Sequence, residues 1–146
     1  MSQDATTRRP GYLVKRVQQA FRQASDERLR PIGLSMSQYA VLAALAAKPG
    51  ASSAELARRC FVTRQSLRDV LAGLKTAGLV AVAEEASTGR ARPVRLTTTG
   101  EARLKEAERV VAEVEERMLA GMPESERRRL AELLSVCAEN LAAEDR

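Results

Sequence analysis

The chain is predicted to be mainly α-helical with one small β-hairpin wing, an α+β arrangement in which a central core is flanked by long helices at both ends. Three observations predict it. Apolar residues recur at helical spacing through most of the 146 residues. Between Gly78 and Gly100 that spacing gives way to two short alternating runs, one with Leu79, Val80 and Val82 and one with Val94 and Leu96, separated by a polar loop. Ahead of them two capped helices follow one another across a tight turn. The order helix, turn, helix, strand, charged loop, strand is that of a winged helix-turn-helix.

Each element has a local cause. A first helix is striped by Leu13, Val17, Ala20, Phe21 and Ala24 and is ended by Pro31 and Gly33. In the core, Ser52 with Glu55 three places on reads as a capping box, in which hydroxyl and carboxylate each satisfy the other's orphan backbone group. Leu56, Ala57 and Cys60 then form an apolar face. Phe61 and Val62 break that spacing, and Thr63 is a good N-cap, so a turn falls there and a new helix begins. Its stripe is Leu67, Val70, Leu71 and Leu74, which leaves Arg64, Gln65, Arg68, Ala72 and Lys75 outside; Gly78 supplies a left-handed C-cap.

Beyond the hairpin, Thr97 or Thr98 opens a long helix, with Glu101 completing a box from Thr98. Leu104, Ala107, Val111, Val114, Met118 and Leu119 lie near helical spacing, and Gly121 and Pro123 break the run. A last helix from Glu124 to about Ala143 carries Leu130, Leu133, Leu134, Cys137 and Leu141 in a stripe. One domain over residues 1–146 is expected, with a DNA-binding core at 36–97 and flanking dimerisation helices at 11–31 and 98–143.

Charge is segregated along the chain. Residues 1–52 hold eight basic and three acidic side chains, residues 53–96 eight and four, and residues 97–146 eight and twelve. A positive region attracts phosphate, whereas an acidic helical tail is repelled by it and belongs away from a duplex. The centre is therefore expected at double-stranded DNA and the ends at a partner. Leu13, Val17, Leu130, Leu133, Leu134, Cys137 and Leu141 are the candidate homodimer contacts across a two-fold axis; a monomer with folded-back helices is the alternative.

The helix beginning after Thr63 has the chemistry of a recognition helix. Arg64, Gln65, Ser66 and Arg68 place planar or short hydrogen-bonding groups on its first turns, the end that enters a major groove and meets base edges. The hairpin loop carries Ser87, Thr88, Gly89, Arg90 and Arg92, and an arginine at such a tip can enter a narrow minor groove where the potential is most negative. A merely solvated helix face and a soluble hairpin edge are the alternatives.

These residues resemble the MarR family of bacterial transcriptional regulators. The resemblance lies in Gly33-Leu34-Ser35-Met36-Ser37-Gln38-Tyr39-Ala40-Val41-Leu42, then Glu55-Leu56-Ala57 with Val62-Thr63, then Leu74-Lys75-Thr76-Ala77-Gly78-Leu79-Val80, then Arg90 with Leu96-Thr97-Thr98-Thr99-Gly100, and spans about Tyr12 to Leu141. It implies a homodimeric winged-helix repressor, less often an activator, on an inverted-repeat operator. It places Ser37 and Thr63 with Arg64, Gln65, Ser66, Arg68, Arg90 and Arg92 in the DNA-binding set. It also implies a small amphipathic or aromatic effector where the dimer helices meet the core, here Arg16, Phe21, Met36 and Tyr39, although ordinary packing explains the last three equally well. Wings of the family usually carry Asp two residues before the wing arginine; here Thr88 stands there, so the carboxylate that would orient Arg90 is missing.

Other functions are disfavoured. The chain has no histidine, which removes His-based triads and the best zinc ligand, and Cys60 and Cys137 are too far apart for a metal knuckle. No catalytic residue, metal or cofactor is expected. Both cysteines read as small core residues, and the family's thiol sensors keep their reactive cysteine in the first helix, where this sequence has none. No apolar run is long enough to cross a bilayer and no secretory signal is evident, so a cytoplasmic protein is expected. A winged-helix protein-interaction module without DNA binding and a PadR-like regulator are the rival readings.

Overall fold

The computed structural model describes residues 3–82 and 93–143. In chain order the elements are α1 (Gln3–Thr7), α2 (Pro10–Leu29), a 3-10 turn (Arg30–Ile32), α3 (Met36–Ala47), α4 (Ser53–Arg59), α5 (Arg64–Thr76), β1 (Val80–Val82), β2 (Val94–Leu96), α6 (Thr98–Met118) and α7 (Glu124–Ala143). The mainly helical chain with a two-strand hairpin is as the sequence predicts. Residues 1–114 and 115–146 form two compact units, with the boundary inside α6.

In the first unit the core is built from α3, α4, α5, β1 and α6, with Leu42, Leu56, Leu67, Leu74 and Leu79 among its fully buried side chains. Burying each such leucine contributes about 1.5–3 kcal/mol. α2 joins this core only through its C-terminal part. Ser25 and Leu29 are its buried residues, whereas Leu13 and Val17 are exposed. The stripe read from the sequence thus meets the core from Phe21 onward, where α2 passes α3.

The N-termini follow hydrogen-bond logic with some exchanges of partner. Ser35 and Gln38 form a full capping box at α3, which the sequence reading missed. Asp26 on α2 accepts from the Met36 N–H at 2.6 Å, adding a carboxylate at the positive end of the same helix. The box expected at α4 is only half made: Ser52 Oγ accepts from the Glu55 N–H at 3.2 Å, but the Glu55 carboxylate is taken by the Lys48 ammonium. That hydrogen bond, with the lysine's charge, holds the Glu55 carboxyl below its usual range. The box expected from Thr98 to Glu101 gives way to a cap by Thr97, whose Oγ1 accepts from the Gly100 N–H at 3.0 Å.

Thr97 is a junction. Its hydroxyl donates to the Gly78 carbonyl at 2.7 Å and its N–H donates to the Leu79 carbonyl at 3.0 Å, so one residue ties the end of α5 to the start of α6. Between them β1 and β2 pair antiparallel, with Val80 opposite Leu96 and Val82 opposite Val94. Gly78 has φ of 76°, the left-handed cap that the sequence predicts. Arg103 of α6 adds a further tie by donating to the Ile32 carbonyl at 2.7 Å.

In the second unit α7 follows Gly121, which has φ of 87°. Arg127 grips Glu116 through Nη1 at 2.7 and 2.9 Å and donates through Nε to the Met122 carbonyl at 2.9 Å. Leu133, Leu134, Val136 and Leu141 of α7 are exposed, Leu141 to 73%. Cys137 is exposed as well, which corrects its reading as a core residue: its stripe faces away from anything within its own unit.

A sharp test of the α5–α6 junction is Gly100→Ala. A Cβ at Gly100 would stand 1.9 Å from the Leu79 carbonyl oxygen. Because that atom is backbone, the added methyl forces α6 off the hairpin, and a loss of about 3 kcal/mol is expected in chemical denaturation.

Candidate nucleic-acid interface

α5 presents a polar first turn because its apolar stripe has only one place to go. Leu67 and Leu74 lie seven residues apart, two turns along one face, and are 1% and 0% exposed. At about 100° per residue, Gln65 and Arg68 then lie about 160° and 100° round the helix from Leu67, away from the buried face, while Arg64, only about 60° from Leu67, is open to solvent as the first residue of the helix. All three are exposed, as is Ser66.

The start of the helix is fixed by Thr63, whose Oγ1 accepts from the Ser66 N–H at 3.0 Å. Losing such a cap costs about 1 kcal/mol. Gln65 donates to Asp69 Oδ1 at 3.2 Å on the exposed surface, so its amide is oriented along the helix. Arg58 and Arg59 close α4 and are exposed, so the turn is flanked by guanidinium on both sides. A hollow of about 590 Å³ lies here, lined by Ala54, Ala57, Arg58, Phe61, Val62, Thr63, Arg64 and Ser66. Two guanidinium and two hydroxyl groups surround the apolar Ala54, Ala57, Phe61 and Val62.

Two features of this turn escaped the sequence reading. Phe61 has φ of 56° and is 95% exposed. Its only legible signal was the break in apolar spacing. Arg90 and Arg92 of the wing lie outside the described residues.

Ser37, in the first turn of α3, accepts from Arg22 Nη2 at 3.0 Å. Both line a second cavity of about 230 Å³ among α2, α3 and the α4–α5 turn, with Phe21, Met36, Ala40, Cys60, Phe61, Val62 and Val70 on its walls. Of the four residues expected around a small molecule, the structure brings Phe21 and Met36 to this cavity. Arg16 and Tyr39 are not on its wall; Tyr39 packs against the core, and the guanidinium that reaches the cavity is that of Arg22. Spacing alone could not separate Arg16 from Arg22, which lie six residues apart on one helix.

Cys60 is half-buried, donates to the Ala40 carbonyl at 3.6 Å, and has its thiol pushed up by burial. Such a thiol is a packing group rather than a nucleophile. Among the described residues no cluster of histidine, cysteine or acidic side chains could hold a metal, and no helix is long and apolar enough to cross a membrane.

Known proteins share this fold. A MarR family model matches residues 32–91, a stretch that includes α3, α4, α5 and β1. The HTH-type transcriptional repressor Rv2887 of Mycobacterium tuberculosis is 40% identical over 124 residues, covering 85% of this chain and 89% of that protein. The crystal structure of Rv2887, a MarR family protein, in complex with salicylic acid matches with TM-score 0.74 and 38% identity over 88% of this chain and 96% of that one. Its complex with DNA matches with TM-score 0.74 and 36% identity over 88% and 97%. The transcriptional repressor CouR bound to a 23-mer DNA duplex matches with TM-score 0.83 and 27% identity over 94% and 98%.

The two thiols are expected to separate cleanly on alkylation of the native protein. Exposed Cys137 reacts first. The rate for Cys60 rises only at higher pH than in the unfolded chain, because its raised pKa keeps the thiolate scarce. Equal rates at pH 8, measured by mass spectrometry of the peptides, would contradict the burial assigned to Cys60.

Proposed function

The chain belongs to the MarR family, and from that premise we propose that it is a transcriptional repressor that binds an inverted-repeat operator as a homodimer and is released by a small aromatic acid. Family membership removes the PadR-like alternative. The observation that carries the proposal is the capped first turn of α5, which displays Arg64, Gln65, Ser66 and Arg68 to solvent while Leu67 and Leu74 anchor the helix behind them.

Arginine pairs bidentately with guanine edges and glutamine with adenine, so Arg68 and Gln65 serve as base readers. Thr63, Arg64 and Ser66 sit at the mouth of the helix, where phosphate contacts set register. Ser37, held by Arg22, is a further backbone contact. Arg90 and Arg92 supply the minor-groove contact of the wing.

Dimerisation is supported by two apolar sets, each unpartnered within its own unit. α2 exposes Tyr12, Leu13, Val14 and Val17, and α7 exposes Leu133, Leu134, Val136 and Leu141. A second copy would cover both sets, with Leu130 and Cys137 alongside. The pairing sets two recognition helices about 10 bp apart, in successive major grooves on one side of the duplex.

The cavity at Arg22 suits the effector. Its walls are mainly apolar, with the Arg22 guanidinium, Gln18 and Ser37 at the polar part, so a benzoate-like ring and its carboxylate would both be satisfied. Salicylic acid bound to Rv2887 supports that chemistry. Release requires the acid to favour a form whose two reading helices no longer match the groove, through different affinity for the two forms.

Selection of bound duplexes from a random pool, followed by titration at several salt concentrations, tests the proposal. A two-fold-symmetric consensus and a steep fall of affinity with salt are expected. No enrichment, or a monomer on size exclusion at micromolar concentration, would overturn it. On the selected operator Arg68→Ala should lose about 1–3 kcal/mol and relax one base position in each half-site. With salicylate as the probe, Arg22→Ala should raise the concentration needed for release about tenfold, since a charge-assisted hydrogen bond is lost.

A further inference from the structure

The turn between α4 and α5 carries a residue that the DNA-reading proposal leaves unused. α4 ends with Phe61 N–H donating to the Arg58 carbonyl at 3.3 Å and Val62 N–H donating to the Ala57 carbonyl at 3.0 Å. This pair of bonds is a Schellman motif, whose turn residue needs left-handed backbone and is usually glycine or asparagine. α5 ends in the same pattern, and there the residue is Gly78 with φ of 76°. In α4 it is Phe61 with φ of 56°.

A side chain in that region crowds its own carbonyl oxygen, so Phe61 is unfavourable in backbone conformation. It is unfavourable in hydration too, because its ring is 95% exposed. The only other phenylalanine of the chain, Phe21, packs against the core. Two costs at one residue, with no gain inside its own unit, point to a gain on binding.

Its surroundings identify the partner. Phe61 lies two residues before the Thr63 cap, shares the hollow with Arg58, Thr63, Arg64 and Ser66, and also borders the 230 Å³ cavity. The ring stands with Ala54, Ala57 and Val62 among two guanidinium and two hydroxyl groups at the mouth of α5. Such a surface complements a nucleic acid better than an apolar protein face.

We propose that Phe61 is a DNA-contact residue whose ring lies on apolar carbon of the duplex at the groove edge. The assignment rests on the DNA reading of α5. B-form DNA offers that carbon as deoxyribose edges and as the thymine C5-methyl, and an aromatic ring meets either without a charge. The contact would add affinity that does not depend on counterion release.

The test uses the full chain and its selected operator with Phe61→Gly, Phe61→Asn and Phe61→Leu. Glycine and asparagine relieve the left-handed strain, so their melting temperatures should equal or exceed the wild type. Their operator affinity should nevertheless fall about tenfold, with leucine in between, because apolar contact is lost. The slope of log affinity against log salt should stay unchanged, since no phosphate contact is removed.

Replacing each thymine by uracil in turn then locates the carbon. If the ring meets a thymine methyl, one replacement per half-site weakens the wild type about fourfold and leaves Phe61→Gly indifferent. If it meets deoxyribose, Phe61→Gly weakens every duplex alike. Either result supports the contact.

Wild-type affinity in Phe61→Gly and Phe61→Asn overturns it, and a normal Arg68→Ala defect would then leave the DNA reading standing. A variant that binds operator normally and has only lost its response to salicylate also overturns it, and assigns the ring to the neighbouring cavity. Failure of the wild type to bind any duplex overturns both readings together.

Discussion

Burial of Leu67 and Leu74 fixes the rotational phase of α5, and the chemistry of the surface depends on that phase. A helix is a rigid cylinder with about 100° between successive side chains, so two anchored leucines leave no freedom for the others. Shifting the stripe by one residue would turn Arg68 toward the core and Leu67 toward water. Both would be opposed by several kcal/mol, since an unpaired buried charge is costly and an exposed leucine forfeits its transfer free energy. Gln65 and Arg68 are displayed because the leucines leave no alternative, and Arg64 because it opens the helix.

The rest of the first unit holds that cylinder at both ends. At its start, Thr63 caps the helix and the Val62 N–H binds back to α4, so the turn has little slack. At its finish, Gly78 turns the chain into β1 while Thr97 ties the same corner to α6. Hydrogen bonds set the ends and apolar packing sets the rotation, a division suited to a reading element that must keep its geometry in water. The 230 Å³ cavity borders this assembly at Cys60 and Val62, the residues just before the cap. A molecule bound there would press on the entry to α5, the route by which the proposed effector would reach the proposed reading face.

Much of this was legible in the sequence. The α5 stripe, the Thr63 cap, Gly78 and the two strands follow from periodicity of 3.6 and 2 and from residues whose roles are local. Legibility failed where the decisive partner is distant in sequence. Glu55 was read as half of a capping box, but Lys48 competes for its carboxylate with a full charge. The sequence allows Thr97 or Thr98 as the cap of α6; Thr97 makes it, and the box from Thr98 to Glu101 is replaced by the junction of Thr97 with Gly78. Arg22 rather than Arg16 reaches the cavity because the core meets α2 only from Phe21 onward. Phe61 was invisible as a feature because a left-handed phenylalanine is a property of backbone and exposure together. The wing arginines remain a reading from sequence.

The orientation of α5 against the duplex can be measured directly by photo-crosslinking. A photoreactive side chain is placed in turn at positions 64, 65 and 68, and at exposed positions 75 and 76 near the far end of the helix, each protein being irradiated with its selected operator. Crosslinks to bases from 64, 65 and 68, with none from 75 and 76, are the predicted result. Base crosslinks from the far end, or none from the first turns, would contradict a helix that enters the groove by its capped end.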